Sequence, residues 1–264
     1  MNTTALRQRF LEQAGRFFAA VMLLTRVPVG AFYQHRAAFS AGSVMYFPLV
    51  GFFIGLAGAG AALLGLSFLP APVAIVLSML ATVAITGAFH EDGLADAADG
   101  LLGGNDVARR LEIMKDSRLG TFGALALWFS LTAKLLLLVE VARGGGMWLA
   151  GALIVAHTLG RASCVALLGW LPYVRASGSK SSPFAASVAP SRLGSALIFP
   201  LVVASLLPGG RGLVCVLVGA ALTFGVGAYF KKQIGGVTGD CLGAANQIVE
   251  LGCYLVLVAQ YHTA

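Results

Sequence analysis

Seven of the eleven acidic residues in this chain, Glu91, Asp92, Asp96, Asp99, Asp106, Glu112 and Asp116, fall between positions 91 and 116. The densest stretch reads His90-Glu91-Asp92-Gly93-Leu94-Ala95-Asp96-Ala97-Ala98-Asp99-Gly100. At about 100° per residue, Asp92, Asp96 and Asp99 share roughly 60° of a helical surface, while Leu94, Ala97, Ala98 and Leu101 form the reverse, apolar face. Like charges four residues apart weaken a helix by a few tenths of a kcal/mol, and carboxylates near hydrocarbon add a desolvation cost. A cation must offset both. Magnesium suits the pattern, because it prefers oxygen donors, keeps several waters and binds through one or two carboxylates together with substrate phosphates. His90 is the one imidazole nearby, so a metal that wants thiolate or imidazole is disfavoured. The other reading is a solvated acidic loop paired with Arg109, Arg110, Lys115 and Arg118. The position at a membrane edge favours the metal.

Cations follow immediately in Arg109-Arg110-Leu111-Glu112-Ile113-Met114-Lys115-Asp116-Ser117-Arg118-Leu119-Gly120. Arginine grips a phosphate through two parallel hydrogen bonds, and lysine supplies a point charge. Lys115, Asp116 and Arg118 are therefore candidates for holding substrate, whereas Arg109 and Arg110 serve equally well as membrane-face anchors. Farther on, His157 and Arg161 lie one helical turn apart in an apolar stretch. An arginine there costs roughly 2.5 to 3.5 kcal/mol and needs an anion, either an acidic-motif carboxylate or a bound phosphate. His157 reads as a satisfied core histidine. Gly236, Asp240, Gly243, Gln247 and Glu250 recur at intervals of four and three, which makes one polar, small-residue face for close packing or for lining a wet cavity. Asp240 is its candidate functional member. Lys134 and Glu140 share no face and read as snorkelling side chains.

The elements that must position these groups are membrane helices. Of 264 residues, 58% are apolar and only 11% charged, against roughly 25% charged in soluble domains, and the mean hydropathy is +0.85. This excludes an ordinary soluble enzyme, a disordered chain and a free nucleic-acid binder. Apolar runs predict an all-α polytopic bundle of about seven spans near 43–69, 71–89, 121–142, 147–171, 193–208, 212–230 and 242–260, in one membrane-embedded domain over 1–264. Pro48 and Pro200 predict kinks within their spans. Residues 6–27 read as an N-terminal amphipathic helix on the membrane surface. Cys164, Cys215, Cys241 and Cys253 have no metal-binding spacing and read as small hydrophobes.

The net charge of +7 is explained by sidedness rather than by nucleic acid. Of 18 lysines and arginines, 14 fall on one side of this map, in the N-terminal segment, the 90–120 loop, the 172–192 loop and Lys231 with Lys232. Only Arg143 and Arg211 fall on the other, and Lys134 and Arg161 lie within spans. The basic side, with the acidic motif, is expected to face the cytoplasm. The Ser-Gly-Ser-Lys-Ser-Ser run at 177–182 reads as a flexible loop.

Five stretches together resemble the cobalamin synthase family, the adenosylcobinamide-GDP ribazoletransferases. They are Leu24-Thr25-Arg26-Val27-Pro28, Tyr46-Phe47-Pro48-Leu49-Val50-Gly51, Phe89 to Gly104, Arg109 to Gly123, and Thr238-Gly239-Asp240 with the Gly, Gln and Glu that follow. The resemblance implies a magnesium enzyme of the bacterial cytoplasmic membrane. It would join adenosylcobinamide-GDP with α-ribazole, or its 5′-phosphate, to give adenosylcobalamin, or its phosphate, and GMP. On that basis Asp92 and Asp96 hold the metal and Asp99 is a third ligand or the base, which makes Asp96 and Asp99 the catalytic carboxylates. Glu91, Lys115, Asp116, Arg118, Arg161 and Asp240 would contact substrate. The lipid bilayer is a partner, and assembly with further copies of the chain is left open. Two other readings stand beside this one. The acidic motif is partly similar to that of the CDP-alcohol phosphatidyltransferases, except that Asp96 follows Ala95 where that family has an arginine. An ion-coupled transporter would use Asp92, Asp96 and Arg161 as a relay, but the chain shows no repeat-related spans.

Overall fold

The computed structural model describes residues 3–32, 42–174 and 190–262, almost entirely as helices. These are α1 (Thr3–Leu24), α2 (Phe47–Leu66), α3 (Ala71–Thr86), α4 (Phe89–Gly103), α5 (Val107–Ile113), α6 (Thr121–Ala142), α7 (Gly146–Trp170), α8 (Pro190–Ala204), α9 (Arg211–Ile234) and α10 (Gly239–His262). The long α7 is buried along most of its length and forms the centre of the bundle. Glycines let its neighbours approach closely: a Cβ at Gly55 would lie 2.7 Å from Ile154 Cα, and one at Gly160 would lie 2.6 Å from Asn246 Oδ1. These are the small-residue crossings by which membrane helices gain packing contact.

Five helical segments are long and apolar enough to cross a membrane, and α3 with α4 makes a sixth if the bent pair counts as one span. The expected uninterrupted span at 71–89 is corrected by backbone geometry. Gly87 and Ala88 take left-handed conformations (φ 65° and 58°), ending α3 and turning the chain by 85° into α4. The expected span at 193–208 is a 15-residue helix, α8, with Pro200 inside it. At 1.5 Å per residue each of these helices is only about 22 to 24 Å long, short of the roughly 30 Å hydrocarbon layer. Pro48 does not kink α2. It sits in the first turn, where the missing N–H costs nothing.

Among the described residues, the segregation of charge survives these corrections. At one end of the bundle Arg26 N bonds Ile85 O (2.7 Å), Arg110 Nη1 bonds Gln233 O (2.8 Å), and Val174 N bonds Val237 O (2.8 Å). At the other end Gly146 packs on Leu63, Gly151 on Leu207, and Arg211 lies over Trp148. Arg36, Arg175, Lys180 and the 177–182 run lie outside the described residues. In α1 burial divides the helix by end rather than by face: Leu6, Phe10 and Leu11 in its first half are exposed, whereas Ala19, Ala20 and Leu24 in its second half are buried. All four cysteines are buried and free.

Candidate functional site

The bend at Gly87 and Ala88 aims α4 across the charged end of the bundle, where it lies between α6 and α10. Contact with α10 is backbone to backbone. A Cβ on Gly93 would sit 3.2 Å from Asp240 Cα, and one on Gly243 would sit 3.1 Å from Gly93 Cα. This crossing brings Asp240, in the first turn of α10, beside the acidic face of α4, so that Asp96 lies within electrostatic reach of Asp92, Asp99 and Asp240. Asp92 is exposed, and Asp96 and Asp240 are half-buried. Thr238 opens α10 by accepting the Cys241 N–H at Oγ1 (3.2 Å). None of Asp92, Asp96, Asp99 and Asp240 joins an ion pair among the described residues.

Asp99 is engaged differently from its neighbours. It is 8% exposed, and its two oxygens accept the backbone N–H groups of Gly120 and Gly123, each at 2.8 Å. It thus caps the start of α6 from another helix, satisfying donors that a helix N-terminus leaves orphaned. Side chains at Gly120 and Gly123 would collide with its carboxylate. Among the described residues, no three His, Cys, Asp or Glu side chains stand together as a ready cage for a metal ion. Magnesium does not require one, since it commonly takes one or two carboxylates and completes its shell with water and substrate phosphate. The all-oxygen donor set of Asp92, Asp96 and Asp240 fits that habit.

The cations after α4 are spread over several tasks. Asp106 caps α5 by accepting the Arg109 N–H (2.9 Å), and Arg109 pairs with Glu112 (2.7 Å). Arg110 ties α5 to the end of α9, donating to Gly104 O (3.1 Å) and Gln233 O (2.8 Å). Arg118 clasps Asp116 (2.6 Å), and that hydrogen-bonded guanidinium holds the exposed Asp116 carboxyl down at about 2. Lys115 is exposed and forms no ion pair among the described residues. The solvated-loop reading therefore holds for Glu112 and Asp116, but not for Asp92 or Asp96.

Beneath α4 lies a buried polar network that corrects two expectations. Arg161, 1% exposed, pairs its guanidinium not with an acidic-motif carboxylate but with Glu250 of α10. Lys134 does not snorkel. It is 6% exposed, and its Nζ donates to Gln247 Oε1 (2.7 Å) and Glu250 Oε2 (3.0 Å). Its partners lie on another helix more than a hundred residues away, so comparing it with Glu140 on α6 could not reveal them. Glu140 pairs instead with Arg143 (2.8 Å) near the far end of the bundle. His157 Nδ1 lies 2.9 Å from Glu250 Oε1, which makes it a satisfied core histidine. Asn246 Nδ2 donates to the same oxygen (3.0 Å). Because Lys134 can only donate, Gln247 accepts from it and turns its amide nitrogen to Glu91 Oε1 (3.2 Å). One oxygen of Glu91 is thereby tied to α10, while its other oxygen has no hydrogen-bond partner among the described residues. Glu250, Gln247 and Lys134 are the residues that sequence reasoning undervalued. The available signal was the i, i+3 spacing of Gln247 and Glu250 on a polar helix face.

A family model described as cobalamin-5-phosphate synthase matches residues 16–258. A protein of Shewanella frigidimarina named adenosylcobinamide-GDP ribazoletransferase is 43% identical, over 95% of this chain and 97% of its own length. Proteins of the same name from Shewanella woodyi and Vibrio parahaemolyticus are each 42% identical, over 94% and 93% of this chain and 96% and 92% of their own. No solved structure matches the chain.

Proposed function

The chain belongs to the cobalamin-5-phosphate synthase family, and from that premise we propose that the crossing of α4 and α10 is its catalytic site, at the cytoplasmic face of a bacterial inner membrane. The protein is a transferase of cobalamin synthesis. Its substrates on this reading are adenosylcobinamide-GDP and α-ribazole or α-ribazole 5′-phosphate. The observation that carries the assignment is that Asp92, Asp96 and Asp240 lie within electrostatic reach of one another with no ion pair to a cationic side chain among the described residues.

Magnesium, held by Asp92 and Asp96 with Asp240 facing them, would supply charge neutralisation for the diphosphate. The chain's own residues do the rest. A hydroxyl oxygen of the ribazole forms a bond to the cobinamide-side phosphorus, the anhydride P–O bond breaks, and GMP leaves with the bonding pair. A carboxylate of the cluster takes the hydroxyl proton. Asp99 fixes the position of α4 against α6, and Glu91 fixes it against α10 through Gln247. Exposed Lys115 offers a point charge to phosphate. Arg118 can do the same only by releasing Asp116.

The test is GMP release from proteoliposomes. Release should require both substrates and magnesium, and it should stop when the ion is chelated and resume when it is restored. Equal release in the presence of excess chelator would overturn the magnesium assignment. Release without the ribazole would mean hydrolysis rather than transfer.

A further inference from the structure

The end of the bundle opposite the acidic helix carries a recess of about 470 Å³, walled by Gly144, Met147, Trp148, Gly151, Leu206 and Arg211. It lies where the first turns of α7 meet the connection from α8 to α9. Three features there are independent of the catalytic site. First, the Arg211 guanidinium sits over the Trp148 ring, 4.9 Å from its centroid, and makes no ion pair among the described residues. Arg143, the other basic residue at this end, is paired with Glu140. Second, the Trp148 indole Nε1 is buried without a hydrogen-bond partner, which is costly for a donor. Its edge abuts Gly144, where a Cβ would lie 3.2 Å from Nε1, and Gly144 and Trp148 both wall the recess. Third, the rim is apolar and bare: Met147 is 80% exposed and Leu206 73%.

A stacked guanidinium and an indole N–H above an apolar rim, at the end of membrane-crossing helices, match a phosphate carried on hydrocarbon chains. Arginine binds phosphate oxygens in a bidentate fork, and Trp and Arg sit by preference at headgroup depth. We propose that this recess binds the headgroup of an anionic phospholipid in the leaflet facing away from the acidic site. Arg211 and Trp148 Nε1 hold the phosphate oxygens, and the acyl chains run down over Met147 and Leu206. The charge of Arg211, which has no ion pair among the described residues, selects a headgroup with net negative charge.

The test uses the intact protein in neutral detergent, with phosphatidylglycerol, phosphatidylcholine or inorganic phosphate added. Retained lipid is measured by native mass spectrometry and the melting temperature by thermal unfolding. Phosphatidylglycerol should be retained and should raise the melting temperature more than phosphatidylcholine. Arg211→Gln should weaken its retention about tenfold. Trp148→Phe removes the N–H and reduces the ring that lies under Arg211, and Gly144→Ala places a methyl against the indole edge. Both should weaken retention by several-fold, while turnover in neutral detergent stays at the wild-type value for all three. Equal retention of the two lipids, or unchanged retention in Arg211→Gln, would overturn the proposal. Stabilisation by inorganic phosphate equal to that by phosphatidylglycerol would assign the recess to a free anion instead. If Arg211→Gln fails to fold, the other two variants decide, and unchanged retention in both overturns the site.

Discussion

Asp99 differs from Asp92 and Asp96 in what its oxygens already do, and substitution with Asn should separate them. In Asp92→Asn and Asp96→Asn a negative charge leaves a crowded face that has no ion pairs among the described residues, so the melting temperature should hold or rise. GMP release should fall roughly 100-fold, with more magnesium needed for half-maximal rate. Asp106→Asn is the control, since Asn caps a helix about as well as Asp and the residue serves only α5. A loss there as large as at Asp96 would remove the case for the α4 face. Asp99→Asn turns one of two accepting oxygens into a donor facing an amide N–H. It should cost about 1 to 3 kcal/mol of stability as well as activity, visible as a lowered melting temperature that Asp96→Asn does not show. Arg161→Ala combines two opposing effects. Removing the charge eases insertion, but it breaks a fully buried pair with Glu250, for which about 3 to 5 kcal/mol is typical. The variant should insert, unfold at lower temperature, and lose turnover without a change in substrate KM. A raised KM with unchanged melting temperature would mean that Arg161 touches substrate.

Among the elements, the decisive joint is the glycine contact between α4 and α10. Gly93 and Gly243 hold two backbones so close that a methyl at Gly93 would lie 3.2 Å from Asp240 Cα and O, forcing the helices apart by a few tenths of an ångström. Gly93→Ala should therefore shift Asp240 relative to Asp96 and raise the magnesium requirement several-fold, with a smaller change in melting temperature. Unchanged magnesium dependence in that variant would take Asp240 out of the cation site. The turn at Gly87 and Ala88 works at the same scale. Two consecutive left-handed residues redirect the chain by 85°, so that the acidic helix lies across the end of the bundle instead of extending α3. Ala88 adopts that conformation without the freedom of glycine, and the Ala88 N–H bond to Val83 O (3.1 Å) helps to hold it.

For the whole molecule, the two ends of the bundle differ in charge, and topology follows from that difference. Single cysteines at Asn105 and Gly209, both exposed, lie at opposite ends. With the basic end in the cytoplasm, a membrane-impermeant thiol reagent should label Asn105→Cys only in inside-out vesicles and Gly209→Cys only in intact cells. Labelling of both from one side would break the topology. The interior is held by charge as well as by packing. Glu250 of α10 joins Lys134 of α6 to Arg161 of α7, and Gln247 of α10 links Lys134 onward to Glu91 of α4. Such pairing is what allows ionised groups to persist among membrane helices.

Composition determined that the protein belongs in a membrane, because a chain with 11% charged residues has too few to coat a soluble surface, and the long apolar runs determined that it is a helical bundle. The 100° period alone determined that Asp92, Asp96 and Asp99 share a face, and the sidedness of lysine and arginine placed that face at the basic end. Local pattern could go no further, since it reports neighbours within one helix. Where α3 stops depends on two backbone conformations that hydropathy does not register. The pairing of Asp99 with the α6 amides, of Arg161 and Lys134 with Glu250, and of Glu91 with Gln247 joins residues 21 to 156 positions apart. Only the packing of α4, α6, α7 and α10 decides such contacts, because a buried charge takes whichever opposite charge or dipole the neighbouring helix presents at its depth.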